Sequence, residues 1–209
     1  MTETDQSLRG TWLFDPTHTR LGFSARHAMV TRVRGSFNDF DGRIEVAPAS
    51  AESGLDAHVE VRVRTASVDT RNADRDAHLR SEDFFDAERF PEMVFRSTTI
   101  DEVGENAYLA VGELTIKGIA KQVGVPIELT GVQRDPMGNL RAGFEGTRRV
   151  DRRDWGLEWQ MPLDAGGVLV SEKITLELEI SAVKQEDDAA SDGGQPADGE
   201  TAGEEPTGV

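Results

Sequence analysis

Cysteine is absent from all 209 residues. That one absence excludes a disulfide framework, thiolate-ligated zinc and a cysteine nucleophile. No apolar stretch approaches the roughly 20 residues that span a bilayer as a helix, so stable membrane insertion is not expected. The opening, MTETDQSLRG, has neither the basic start nor the apolar core of a secretory signal, and its literal reading is a cytoplasmic protein. Neither Gly-x-Ser-x-Gly nor His-Glu-x-x-His occurs, so the local signatures of a serine-hydrolase elbow and a zincin helix are missing. Aromatic residues make up only 6% of the chain. Its three tryptophans, Trp12, Trp155 and Trp159, lie on separate segments; they read as core or cavity wall, with a sugar-stacking surface as the alternative.

Acids outnumber bases 39 to 23, for a net charge of −16. Eight of those acids fall after Lys184, where there is no base, so half the net charge sits in the last 25 residues. That stretch is rich in Gly, Ala, Pro and Asp and cannot bury enough surface to offset its ordering entropy. It reads as an acidic disordered tail over 185–209, preceded by one domain over 10–184 and a flexible N-terminus over 1–9. The acidic balance argues against nucleic acid as a partner and against broad adhesion to anionic membranes.

Within the domain, apolar and polar residues alternate at period two, the mark of half-buried strands. Leu21, Phe23, Ala25 and His27 share a face; so do Val33, Gly35 and Phe37, then Val59, Val61 and Val63. Further strands are expected near 93–100, 108–116, 123–130 and 140–150. Ile174, Leu176, Leu178, Ile180 and Ala182 form the clearest run. Asp15-Pro16 ends the first strand, and Asp41-Gly42 is a hairpin turn signal. The result is about eight antiparallel strands with short connections, whose edges closure into a barrel would remove; periodicity alone leaves a sandwich equally open.

One segment breaks the pattern. Between 69 and 95 the chain is helical in character, with Asn72 and Ser81 placed as helix N-caps. Leu79, Phe84, Phe85 and Phe90 supply an apolar side before Pro91 stops the run. A short helical insert near 72–90 with this much aromatic surface must lie on something apolar, and a cap over a barrel mouth satisfies it.

The same segment carries a family likeness. Ser67-Val68-Asp69-Thr70, Arg75-Asp76-x-His78-Leu79-Arg80-Ser81-x-Asp83-Phe84-Phe85-Asp86 and Phe90-Pro91-x-Met93-x-Phe95 resemble the central signature of the YceI-like family. Trp12-x-x-Asp15-x-x-His18-Thr19, Val33-x-Gly35-x-Phe37, Gly112-x-Leu114-Thr115-Ile116-x-Gly118 and Arg152-x-Asp154-Trp155-Gly156 resemble its other blocks. Thr19 and Trp155 stand where Ser and Phe are commoner. The resemblance implies an all-β, eight-stranded up-and-down, lipocalin-like barrel that binds polyisoprenoids or related lipids, often as a homodimer and often exported. It implies no enzyme activity, no cofactor and no metal.

On this reading the ligand cavity is lined by Phe23, His27, Phe37, Val61, Leu79, Phe84, Phe95, Leu114 and Phe144. His78, Arg80 and Arg152 are candidates for the head group or the mouth. His27 is either a hydrogen-bonded core histidine or a polar ligand contact; His18 reads as a partner of Asp15 in the turn. His18, His27 and His78 as a zinc site, or a lipid-modifying enzyme using cavity histidines, are the competing chemistries. Magnitudes bound the ligand. Burial gains about 0.8 kcal/mol per CH₂, association costs roughly 4–15 kcal/mol, and micromolar affinity needs about −8.2 kcal/mol. Hydrocarbon alone must then bury roughly 15–30 carbons, which suits a prenyl quinone, a polyprenyl phosphate or a long fatty amide.

Overall fold

The computed structural model describes residues 7–47, 56–163 and 167–186. Eleven strand segments make one antiparallel sheet: β1 (Gly10–Phe14), β2 (Arg20–His27), β3 (Thr31–Phe37), β4 (Phe40–Val46), β5 (Ala57–Arg64), β6 (Val68–Asp69), β7 (Glu92–Gly104), β8 (Ala107–Ile116), β9 (Ile119–Arg134), β10 (Leu140–Asp151) and β11 (Lys173–Lys184). They amount to eight strands, because the first three are each broken once. β1 and β2 lie end to end along β11, with Phe14 opposite Ala182 and Arg20 opposite Glu179. β3 and β4 run back beside them, and β5 and β6 run beside those in turn. The pairing of β1 and β2 with β11 closes the ring. The fold is therefore the closed eight-stranded antiparallel barrel, and no strand edge is left free around its middle.

The breaks have local causes. Pro16 has no N–H to give to a ladder, and Asp15 folds the chain back by accepting from the Thr17 amide at 2.9 Å. The Thr19 hydroxyl then replaces the missing ladder bonds, donating to the Ser181 carbonyl at 3.2 Å and accepting from the Ser181 amide at 3.0 Å. The next two breaks sit side by side, at Asn38-Asp39 and at the 3₁₀ turn Thr65–Ser67. The Arg64 amide donates to the Asp39 carbonyl at 2.9 Å there.

Asp41-Gly42 is not the turn its composition suggests; both residues lie inside β4. Gly42 is needed there for space, because a Cβ would run into the Phe14 ring. The insert also differs from expectation. Helix α1 covers only Ala73–Arg80, with Asn72 accepting from the Arg75 amide at 2.9 Å as its N-cap. Ser81 ends this helix instead of starting another, its hydroxyl donating to the His78 carbonyl at 2.8 Å. Asp86 sits at φ 49°, in the left-handed region, so the chain from 82 to 90 is a series of turns.

Two apolar clusters fill the barrel. One, around Trp12, Phe14, Leu21, Phe37, Leu129 and Ala182, includes the end where β1 begins. The other, of Phe84, Val123, Val125, Trp155 and Leu157, joins the insert to the opposite end. Leu8 is buried, and its carbonyl accepts from Trp12 Nε1 at 2.6 Å, so the packed chain starts before Gly10. The rest of the expected flexible N-terminus, 1–6, and nearly all of the expected acidic tail, 187–209, lie outside the described residues. No helix among the described residues is long and apolar enough to cross a membrane.

Candidate functional site

Alternation along every strand turns one set of side chains inward, and together they enclose a cavity of about 320 Å³. Phe23, Phe37, Val61, Leu79, Phe84, Phe95, Leu114 and Phe144 all line it. Among the described residues, Arg152 is the one charged residue in the lining. Opposite the inward valines of β5, the outward face is wet and ion-paired: Glu60 meets Arg62 at 2.6 Å and Arg96 at 3.3 Å.

His27 does not join the cavity. It shares the inward phase of Leu21 and Phe23, but β2 has left the barrel rim by that point and the residue is exposed. His18, His27 and His78 lie apart, and no metal-holding group of His, Cys, Asp or Glu occurs among the described residues.

The insert is fixed at its helical half. The buried Asp76 accepts from the Thr70 amide at 2.9 Å and from the Thr70 hydroxyl at 2.5 Å. Arg75 donates to the Thr70 hydroxyl and carbonyl at 2.7 and 2.8 Å. Arg80 is part of the same scaffold rather than the mouth: it donates to the Ala66 and Val68 carbonyls at 2.7 and 2.9 Å. The turn half lays aromatic rings across the cavity. Phe85 meets Phe37 edge-on, with centroids 5.5 Å apart. Phe84 lies 5.5 Å from Trp159. His78 packs edge-on against both, at 5.1 and 4.7 Å, and its Nε2 pairs with Asp83 at 2.8 Å.

Arg152 is 5% exposed. It donates to the Ser171 carbonyl at 3.2 Å, to the Trp159 carbonyl at 2.9 Å and to the Leu157 carbonyl. Among the described residues its side chain has no carboxylate partner; Asp151 is engaged by Arg153 (2.7 Å) and Lys173 (3.1 Å). Burial therefore lowers its pKa, opposed by the nearby Asp151 and Glu172 charges. Desolvating a cation without a contacting counter-ion is expensive unless several dipoles serve it, and three carbonyls do so here. An apolar chamber with one cation in its wall suits an amphipathic molecule with a long hydrocarbon body and an electron-rich head.

Phe85, Trp155, Leu157, Trp159 and Val170 also belong to this end, and the period-two pattern did not single them out. Trp155, read from the sequence as core or cavity wall, lines the cavity, and its Nε1 donates to the Leu114 carbonyl at 2.9 Å. Trp159, read the same way, packs against His78 and Phe84.

The geometry agrees with the comparisons. A protein of Shewanella denitrificans described as a UPF0312 protein is 34% identical over 168 residues, covering 80% of this chain and 83% of that one. The crystal structure of a Campylobacter jejuni YCEI protein is 30% identical with a TM-score of 0.64, over 77% of this chain and 90% of that one. A Saccharophagus degradans domain described as polyisoprenoid binding has the same fold, at 16% identity and a TM-score of 0.58, over 85% of this chain and 99% of that one. The family model for the YceI-like domain matches residues 12–182, and the chain belongs to that family.

Proposed function

We propose that the protein binds a long-chain isoprenoid or similar amphipathic lipid in the barrel cavity, without chemical turnover, to store, carry or sense it. The observation that carries this reading is the chamber itself: an open-mouthed apolar volume of about 320 Å³, walled by aliphatic and aromatic side chains and bordered by the buried Arg152. The polyisoprenoid-binding description of the Saccharophagus domain supports the ligand class by analogy of fold.

Arg152 serves the head group. A guanidinium has five N–H donors, and a quinone carbonyl or a phosphate oxygen accepts from those that the three backbone carbonyls leave. The chamber is at the small end of ligand pockets, which run roughly 300–1,000 Å³. At about 30 Å³ per water-sized group it holds on the order of ten, fewer than the roughly 15–30 carbons needed if hydrocarbon alone drives binding. A bound chain must therefore widen the cavity or extend through its mouth, and the turn half of the insert is the part with fewest ladder bonds to break. The competing reading of an enzyme with cavity histidines lacks its residues, since no histidine is among the lining side chains.

The test is native mass spectrometry of the full chain purified from its host without detergent, followed by solvent extraction. A non-covalent adduct that extracts as an intact isoprenoid or other long-chain lipid is expected. Absence of an adduct, together with failure to take up an added prenyl quinone, would contradict the proposal.

A further inference from the structure

Between Asp15 and Asp39 the chain has no acidic residue, although acids outnumber bases 39 to 23 overall. This run is β2, β3 and the turn between them, and it carries four arginines. Arg20 lies 3.5 Å from Glu177 and 3.7 Å from Glu179. Arg26, Arg32 and Arg34 are exposed and form no ion pair among the described residues. Arg26 stands directly opposite Arg32 across the hairpin, a like-charge pair that costs stability rather than adding to it.

The hairpin tip is apolar and uncovered, with Met29 53% and Val30 76% exposed. Its turn is closed by the Val30 amide donating to the His27 carbonyl at 3.1 Å. Ala28 and Met29 occupy it at φ 48° and 60°, a left-handed geometry that Asn and Gly fill more readily. The loop before β11 lies alongside: the Ala28 amide donates to Leu169 at 2.7 Å, and the Leu169 amide to Met161 at 3.0 Å. Met161 is itself 51% exposed. Met29, Val30 and Met161 thus form an apolar lip beside three guanidinium groups that have no ion-pair partner among the described residues. The lip adjoins the cavity, since both Ala25 and Val170 line it and Val170 is bridged to His27.

From this face we infer that the protein docks on the surface of an anionic lipid bilayer. Met29, Val30 and Met161 enter the headgroup boundary, and Arg26, Arg32 and Arg34 hold lipid phosphates, which the guanidinium fork fits bidentately. The cavity rim then faces the leaflet where hydrocarbon chains are taken up or returned. Only the purpose of docking rests on the lipid-binding reading above; the docking itself does not. The negative charge of the whole chain does not prevent it, because salt screens charges beyond about 8 Å and leaves the nearest patch to orient the molecule. A second copy of the chain is a poorer occupant, since a two-fold contact through this patch would set arginines against arginines.

Flotation of the full chain with vesicles tests the inference. Wild-type protein is expected to bind phosphatidylglycerol-containing vesicles at low salt, weakly at high salt, and not to bind pure phosphatidylcholine. Each arginine near the surface is worth about fivefold in binding, so Arg32→Glu with Arg34→Glu should weaken it by about 25-fold or more. Met29→Ser with Val30→Ser should also weaken it, whereas Met137→Ser, 89% exposed in the turn at the other end of the barrel, should leave it unchanged. No binding to anionic vesicles, binding that survives both double substitutions, or a loss of self-association as their only effect would each overturn the inference. Uptake of a soluble short-chain prenyl quinone by the same variants keeps the two readings apart. Vesicle binding without quinone uptake leaves docking standing and removes the cargo; quinone uptake without vesicle binding does the reverse.

Discussion

The Arg152 guanidinium lies over the ring of Phe84, 5.9 Å from its centroid, so the one cation in the cavity wall and the main aromatic of the insert support each other. Arg152 also holds the 157–159 and 171 backbone through carbonyls. Replacing it with Met should leave those acceptors unpaired and destabilise the fold by about 3 kcal/mol, as read by urea denaturation. Arg152→Lys keeps the charge but cannot reach three acceptors at once, so it should recover less than half of that loss. Full recovery by Lys would show that charge, not the fork, is what this site uses.

Phe84 is 5% exposed and meets His78 and Trp159 as well. Phe84→Ala should cost about 3 kcal/mol of stability and release bound prenyl quinone roughly tenfold faster, with little change in capture rate. Stopped-flow displacement measures the release directly. An unchanged rate would remove the insert from the exit path.

Helix α1 is held by Thr70 and by the Ala66 and Val68 carbonyls, whereas the amides of the turns after Ser81 donate only to carbonyls within 79–86. Among the described residues, side chains from outside the insert hydrogen-bond those turns only at their two ends, Lys117 at the Glu82 carbonyl and Thr65 at the Phe90 carbonyl. Hydrogen exchange should therefore be slow across 73–80 and faster across 82–90, and only the second stretch should slow on lipid binding. Uniform protection of both, with and without lipid, would make the insert a fixed plug.

Arg141 bridges two segments, meeting Asp15 at 2.6 Å and Asp135 at 2.8 Å. The Arg141 and Asn139 side chains bring the Asp135 pKa from 3.8 down to about 2. His18 and then Arg141 hold Asp15 well below the usual carboxylate range. Because both folded-state values are depressed, their contribution is present above about pH 4 and is lost as pH falls through them. The stability gap between wild type and Arg141→Met should shrink steadily from pH 4 to pH 2. A gap that stays constant over that window would show that the bridge acts by packing alone.

The strands and the inward valines of β5 were legible because strand periodicity survives intact at Val59, Val61 and Val63, whereas closure into a barrel was legible only through the family resemblance, since alternation is the same in a sandwich. His27 shows the limit of that signal: alternation assigns a face but not a height, and at the rim an inward phase meets solvent. Asp41-Gly42 carries turn chemistry, yet the glycine answers to the Phe14 ring lying across the strand. Ser81 has the composition of an N-cap and closes a helix instead: its own extended backbone, at ψ 173°, ends the run at Arg80, and the positive φ of Asp86 stops a second helix from growing beyond it. The partners of Arg152 come from residues 157, 159 and 171, carbonyls that no side-chain pattern encodes. The three strand breaks align only once neighbouring strands are in register.

The central claim is that the cavity binds by burying a long hydrocarbon chain, and a chain-length titration tests it most directly. Prenyl quinones of one to ten isoprene units can be followed by quenching of Trp155, in the cavity wall, and of Trp159, packed on Phe84. Each buried methylene should tighten binding by about fourfold until the chamber and its mouth are filled, after which affinity should level off. An affinity that does not change with chain length would contradict the account.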